Sequence, residues 1–344
     1  MPDFNRILLT RMKFIGDVVL TTPVIRAVRE QYPDAYIAYL TDKKTAPLLE
    51  HNPYLNEIIP FDFSRPDIFE QPRVAFLLRR RKFDVVVDLF SNPRTALLSW
   101  ASGAPMRIGK EVKGRGKLYT HRIGDYGAMK PAIEFHYQYV KPLGVGMTHF
   151  KTEIFLTDDE KREARIFLKH QDVDVSKPVI AIHVGASWPN KVWLKENFAE
   201  LIDLLRAKLG VEIILSAGPG DEEMVSSIIN NSSGKVFRLP LLPLRQLAAI
   251  FSQCKVFLSN DCGPMHIGVA VGTPTIGIFG PEPPEVWFNY SAAEGHKALF
   301  KKIECSPCRT TACFREAEHF MDCMKLITVA EVFGEIQSRL TTDH

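Results

Sequence analysis

Short apolar runs without polar alternation recur along this chain, each coupled to a helix-like stretch, and they constrain what it can fold into. Arg6-Ile7-Leu8-Leu9-Thr10, Asp84-Val85-Val86-Val87-Asp88-Leu89, Val179 to His183 and Val256 to Ser259 read as parallel strands covered on both faces. In the first half Thr21 to Gln31 reads as a helix with Pro23 in its first turn, Tyr36 to Leu40 as a strand, and an Arg-rich helix precedes Asp84. The pattern restarts after the charged helix Asp158 to His170 and the turn-rich 172–178. It continues with strands at Val179 to His183, Val211 to Leu215 and Val256 to Ser259, and with helices at Glu196 to Leu209, Asp221 to Asn230 and Leu244 to Ser252. The order implies an α/β chain of two consecutive doubly wound domains, 1–172 and 173–327. The length of 344 residues agrees, at about 150 residues per domain.

Composition excludes several classes. A net charge of +3 argues against a dedicated nucleic-acid binder, and 46% hydrophobic with 24% charged residues is ordinary for a soluble protein. The longest apolar stretch, Ile267 to Phe279, is interrupted by Gly268, Gly272 and Pro274 and is too short to span a bilayer. Arg11, Lys13 and Asp17 break the N-terminal apolar region before it reaches signal-peptide length, which places the chain in the cytoplasm.

Ligands of doubly wound sheets bind at the carboxyl ends of the strands, so the turns there carry the functional signal. Asp261-Cys262-Gly263-Pro264-Met265-His266 turns from a strand into a helix, a place where backbone N–H groups meet phosphate or where an Asp simply caps its helix. The loop His183 to Trp193 combines the small residues Gly185, Ala186 and Ser187 with Lys191, suited to a phosphate. Asp221 and Glu222 follow the next strand, where a carboxylate either binds a ribose diol or satisfies a helix N-terminus. Asp17, after the first strand, is a candidate general base or a helix cap. No Gly-x-Gly-x-x-Gly follows the first strand, which counts against a nicotinamide-dependent oxidoreductase, and no P-loop is present. A sugar-nucleotide-binding protein without catalysis remains an alternative to an enzyme.

Ile15-Gly16-Asp17-Val18-Val19-Leu20-Thr21-Thr22-Pro23, the Lys191 loop, and Asn260 to His266 with Gly272-Thr273-Pro274 and Phe279-Gly280-Pro281 together resemble the motifs of glycosyltransferase family 9, the ADP-heptose:lipopolysaccharide heptosyltransferases, over nearly the whole chain. The resemblance implies a GT-B architecture: two Rossmann-like domains facing across a cleft, acceptor in the first, nucleotide sugar in the second. It also implies a final helix, about 328–344, packing back on the first domain. It makes Asp17 the catalytic base of an inverting transfer, with Lys13, Gly16 and Arg115 on the acceptor side. Lys191 binds the diphosphate beside Ser187, Glu222 or its neighbour Asp221 the ribose, and Asp261, Cys262, Gly263, Pro264, Met265 and His266 form the donor loop. ADP-L-glycero-D-manno-heptose is the implied donor and the anionic inner core of lipopolysaccharide the acceptor, with no cofactor required and transient contact with the inner leaflet of the inner membrane. Cys262 stands where the family commonly has Thr or Ser, so one hydroxyl contact to phosphate is missing.

Two clusters stand apart. Cys305, Cys308, Cys313 and Cys323 suit a structural zinc or an iron–sulfur cluster on count, and reduced thiols in a packed loop or a disulfide as alternatives. Arg79-Arg80-Arg81-Lys82 reads as a solvated helix end, and the segment from Arg107 to Arg122 as a mobile basic loop that meets an anionic acceptor or headgroups.

Overall fold

Strand β1 (Arg6–Thr10) is buried from its second residue onward and pairs in parallel with β2 (Tyr36–Asp42) on one side and β4 (Val85–Asp88) on the other, so that Ile7 lies beside both Ile37 and Val85. The computed structural model describes residues 4–124 and 130–341. It divides into two units, Met1–Phe155 and Leu156–His344.

In the first unit β3 (Glu57–Phe61) extends the sheet beyond β2, and β5 (Met106–Lys110) and β6 (His121–Ile123) extend it beyond β4. The order is β3-β2-β1-β4-β5-β6 with every pair parallel. Helices α1 (Ile15–Leu20), α2 (Thr22–Gln31), α3 (Asp67–Arg81), α4 (Pro93–Ala101) and α5 (Ala132–Val140) connect and cover it. Local chemistry sets their ends. Asn92 Oδ1 accepts the Thr95 N–H at 2.8 Å ahead of Pro93, and α3 stops where Lys82 turns left-handed at φ 50° after three arginines that suit the helix dipole. Leu8, Leu40, Val74, Leu78 and Val86 pack between sheet and helices. Burying each such side chain contributes about 1.5–3 kcal/mol, and an unpaired carboxylate at Val86 would cost more than that gain.

The second unit repeats the plan. After α6 (Asp158–His170) come β7 (Val179–His183), α7 (Lys195–Leu209), β8 (Glu212–Ser216), α8 (Glu222–Asn231), β9 (Phe237–Arg238), α9 (Leu244–Phe251), β10 (Val256–Asn260), α10 (Gly263–Ala270), β11 (Thr275–Phe279), α11 (Pro284–Trp287), β12 (Lys297–Phe300), α12 (Asp322–Lys325) and α13 (Val329–Thr341). The sheet runs β12-β11-β10-β7-β8-β9, again parallel, and counted from its own first strand this is the order of the first unit. In each sheet the connections reverse direction next to the first strand, between β1 and β4 and between β7 and β10. Strand ends diverge there and leave a crevice.

Three features differ from the sequence reading. The boundary falls at Phe155/Leu156 rather than 172/173, because α6 packs on α9 and Glu160 forms a half-buried ion pair with Arg245. Through 341, the last described residue, the final helix is part of the second unit, where it buries Val332 and Ile336 in the core against α7, while the sequence reading groups it with the first domain. The Arg107 to Arg122 segment is not a loop throughout: it contributes the body of β5 and most of β6, with Arg107 donating to the carbonyls of Leu118 (2.9 Å) and Ala104 (2.6 Å).

Candidate active site

In the second unit the reversal point is organised by Asn260. Its buried amide donates to the Val184 carbonyl at 2.8 Å and accepts the Trp193 N–H at 3.0 Å, so one side chain at the end of β10 holds both ends of the loop after β7. Trp193, itself buried, donates through Nε1 to the Ile327 carbonyl at 2.9 Å. Within that clamped loop Lys191 reaches Asp261, Nζ to Oδ2 2.6 Å, and lies 4.3 Å from the centre of the Trp188 ring. Burial pushes the Asp261 carboxyl above its ordinary value, Lys191 opposes that shift, and Glu282 adds to it. The ammonium is therefore what favours a charged Asp261.

Helix α10 begins at the next residue. Cys262 is extended at its cap, Pro264 in the first turn has no N–H, and the Met265 N–H turns back to the Cys262 carbonyl at 3.2 Å. The amides of Cys262 and Gly263 are what this helix end presents to an anion. The Met265 side chain packs with Val269, Phe279 and Phe288 in a core cluster. The Cys262 thiol is directed to Ser259 Oγ at 3.3 Å, with burial pushing it up to about 12. His266 Nδ1 lies 2.6 Å from the Tyr290 hydroxyl, and burial together with Lys191 lowers the ring to about 3, so it is neutral near pH 7.

On the other flank Asp221 Oδ2 accepts the Gly218 N–H at 2.8 Å and lies where a Cβ on Gly185 would come within 2.0 Å. Gly185 is thus dictated by a carboxylate that occupies its missing side chain's place. Glu222, the first residue of α8, and Ser187 are exposed. Lys191, Asp261, Cys262, Gly263 and His266 come together at the β7/β10 reversal, and Asp221 marks its β8 edge.

In the first unit Asp17 occupies the first turn of α1. Its carboxylate accepts the Phe14 N–H at 3.2 Å and is ion-paired with Arg11, which also donates to the Leu89 carbonyl at 2.9 Å and lies 4.7 Å from the Phe90 ring centre. Arg11 therefore ties the base candidate after β1 to the end of β4. Asp88, buried at the end of β4, accepts the Tyr119 hydroxyl at 2.6 Å and the Ser91 N–H at 2.8 Å, and Arg115 Nε donates to the Ser91 carbonyl at 3.1 Å. Gly16 is buried beneath Asp17, and Lys13 lies over Phe63, 4.1 Å from its ring centre. Sequence reasoning gave no role to Arg11 or Asp88, and named Asn260 only as part of a motif. The signal available was polar residues closing otherwise apolar strands.

Cys305, Cys308, Cys313 and Cys323 line one small cavity of about 20 Å³, all as free thiols. Among the described residues no three His, Cys, Asp or Glu side chains are set to hold a metal ion. The loop braces the donor side: Ser306 Oγ donates to the Gly280 carbonyl at 2.6 Å, and Asn190, beside Lys191, donates to the Thr310 carbonyl at 2.8 Å.

The family model for glycosyltransferase family 9 (heptosyltransferase) matches residues 73–319. The chain belongs to this family. Among relatives of the glycosyltransferase, lipopolysaccharide heptosyltransferase 3 of Escherichia coli is 28% identical over 295 residues, 81% of this chain and 85% of the relative. A glycosyl transferase family 9 structure from Veillonella parvula superposes with a TM-score of 0.87 at 26% identity, covering 98% of this chain and 97% of the other. The E. coli ADP-heptose lps heptosyltransferase II shares the fold at a TM-score of 0.80 and 21% identity, with 97% and 98% covered. Two Rossmann-like units are thus the GT-B components of a glycosyltransferase.

Proposed function

We propose that this enzyme transfers a heptose from ADP-L-glycero-D-manno-heptose to the inner core of lipopolysaccharide, with inversion at the anomeric carbon. The observation that carries the donor half is Lys191 held 2.6 Å from Asp261 at the start of α10. A diphosphate arriving there meets an ammonium and the amides of Cys262 and Gly263, and Asp221 or Glu222 takes the ribose hydroxyls. Asp17 removes the proton from the acceptor hydroxyl, and that oxygen forms the new bond to the anomeric carbon. The bond from that carbon to the β-phosphate oxygen breaks, and its electron pair leaves with ADP. Arg11 positions the base, and Lys13, Gly16 and Arg115 lie on the acceptor side. Charge on the departing ADP is met by Lys191 and the backbone, so the reading requires no metal cofactor, and turnover is expected to persist with a chelator present.

The acceptor is an anionic glycolipid, which places the enzyme at the inner face of the inner membrane as a peripheral protein. No described helix is long and apolar enough to cross a membrane. Relatives named for lipopolysaccharide heptose transfer support this assignment of donor and acceptor. The test is Asp17→Asn with ADP-heptose and a panel of truncated cores, following ADP release and product mass. The variant should lose about 10²–10⁴-fold in kcat with ADP affinity intact, the usual contribution of a positioned base. Unimpaired turnover would refute Asp17 as base, and ADP binding by the wild type without transfer to any core would refute the reaction.

A further inference from the structure

We infer that the outer face of α3 and α4 in the first unit is a docking surface for an anionic lipid bilayer. A helix that covers a sheet ordinarily turns its charged side to water. Here α3 does the opposite at Ile68, Phe69 and Phe76, which are 74%, 67% and 65% exposed, and α4 adds Leu97 and Trp100 at 45% and 55%. Positions 68, 69, 72 and 76 fall within about 100° of one another around a helix of 3.6 residues per turn. Between the two helices lies an open groove of about 410 Å³ lined by Ile68, Pro72, Ala75, Leu97 and Leu98 among others. Exposed apolar surface of this continuity marks an interaction site.

Charge identifies the occupant. Arg79, Arg80 and Lys82 are exposed at the end of α3, and none has an ion pair among those described, whereas the carboxylates of the same helix are neutralised: Asp67 by Arg94, and Glu70 by Arg73. Aromatic rings interleaved with free cations suit an anionic headgroup region. A second copy of the chain would face these cations with its own across a two-fold axis, which disfavours self-association.

The face also adjoins the acceptor side of the same unit. Lys13 lies 4.1 Å from the Phe63 ring centre, the Arg94 guanidinium 4.8 Å from that same centre, and Arg94 is paired with Asp67 in the first turn of α3. A bilayer on this face therefore holds the surface from which a lipid-linked acceptor comes beside the Asp17 region. The inference rests on the reading of a lipid-linked acceptor, and its test separates the two.

Full-length protein is sedimented with phosphatidylethanolamine/phosphatidylglycerol vesicles and with phosphatidylcholine vesicles at low and high salt. Wild type should bind the anionic vesicles, F69S/F76S/W100S about tenfold more weakly, and R79Q/R80Q about tenfold more weakly with a shallower salt dependence. Both variants should melt like wild type and turn over a deacylated, water-soluble core at the wild-type rate. Asp17→Asn should bind vesicles like wild type, so failure of the transfer reading leaves the vesicle result standing. Wild type that ignores anionic vesicles, a triple variant that binds them equally well, or a wild-type dimer dissolved by the triple substitution would each overturn the surface.

Discussion

Replacing Lys191 by Met removes one charge from a pair in which Lys191 and Asp261 side chains are 12% and 6% exposed, and the structure bounds the consequence. At 2.6 Å the attraction is about 6 kcal/mol for an effective dielectric of about 20, most of it offset by the cost of taking both ions out of water. A tighter limit comes from Asp261 itself. Its carboxyl, ordinarily titrating at 3.8, is raised by burial, so without the ammonium its charged form is disfavoured further in the folded protein, and taking up a proton sets the limit on the cost. Protonation near pH 7 costs about 1.4 kcal/mol for each of about 3.2 pH units, so the penalty is capped at about 4.5 kcal/mol. Because the folded pKa lies above the unfolded one, the folded variant binds the extra proton. The penalty is therefore largest at high pH and shrinks as pH falls, to no more than about 1.6 kcal/mol near pH 5.

Melting followed by tryptophan fluorescence reads this, since three of the four tryptophans, Trp188, Trp193 and Trp287, lie in the second unit. At about 2–4 °C per kcal/mol, Lys191→Met should lower the midpoint by up to about 18 °C near pH 7 and by no more than about 6 °C near pH 5. Adding Asp261→Asn should restore most of the loss, since no buried carboxylate is then left without its cation. ADP titration calorimetry reads the other role: losing a charged hydrogen bond to phosphate costs about 1.5–3 kcal/mol, or about 10–150-fold in affinity. A midpoint loss independent of pH, or a double variant no better than the single, would show that Lys191 does not hold the Asp261 charge. Unchanged ADP affinity would remove it from the donor site.

His266, lowered to about 3 and bonded to Tyr290, should show no imidazole titration by NMR between about pH 5 and 8, and ADP affinity should carry no step from it; a midpoint near 6.5 would refute the buried neutral ring. Gly185→Ala places a Cβ 2.0 Å from Asp221 Oδ2, and that carboxylate must leave the Gly218 N–H, so the variant should lose about 1–2 kcal/mol of stability in urea titration and bind ADP about tenfold more weakly. Iodoacetamide labelling read by mass spectrometry should modify the half-buried Cys305, Cys308 and Cys313 before Cys323, whose thiol burial raises to about 11, and before the more strongly raised Cys262 and Cys254. Early labelling of Cys323 would show that its cluster is open in solution.

The two doubly wound sheets were legible because strands buried on both faces must be apolar throughout, which shows in Val85-Val86-Val87 and Val179 to Ile182 without reference to any partner. Asp17, Lys191 and Asp261 became candidates for a related reason: strand ends at a reversal point are where the topology gathers ligands, and each lies in the connection that follows such a strand. What the pattern withheld was decided by long-range contacts. Glu160 and Arg245 are 85 positions apart, and their pairing assigns α6 to the second unit although α6 precedes the turn-rich stretch that looked like the boundary. Met265 sits in the donor motif, yet its side chain belongs to the core beside Phe279 and Phe288. Helix α3 is the sharpest case. It carries Ile68, Phe69, Val74, Phe76, Leu77 and Leu78, too many apolar positions for one stripe, and only docking of Val74 and Leu78 on the sheet selects which of the others face water. Its arginine run, read from sequence as a solvated helix end, is thereby flanked by exposed aromatic rings. The same four basic residues mean something different once their neighbours are known, because a cation beside water is indifferent while a cation beside an exposed Phe is half of an interfacial anchor.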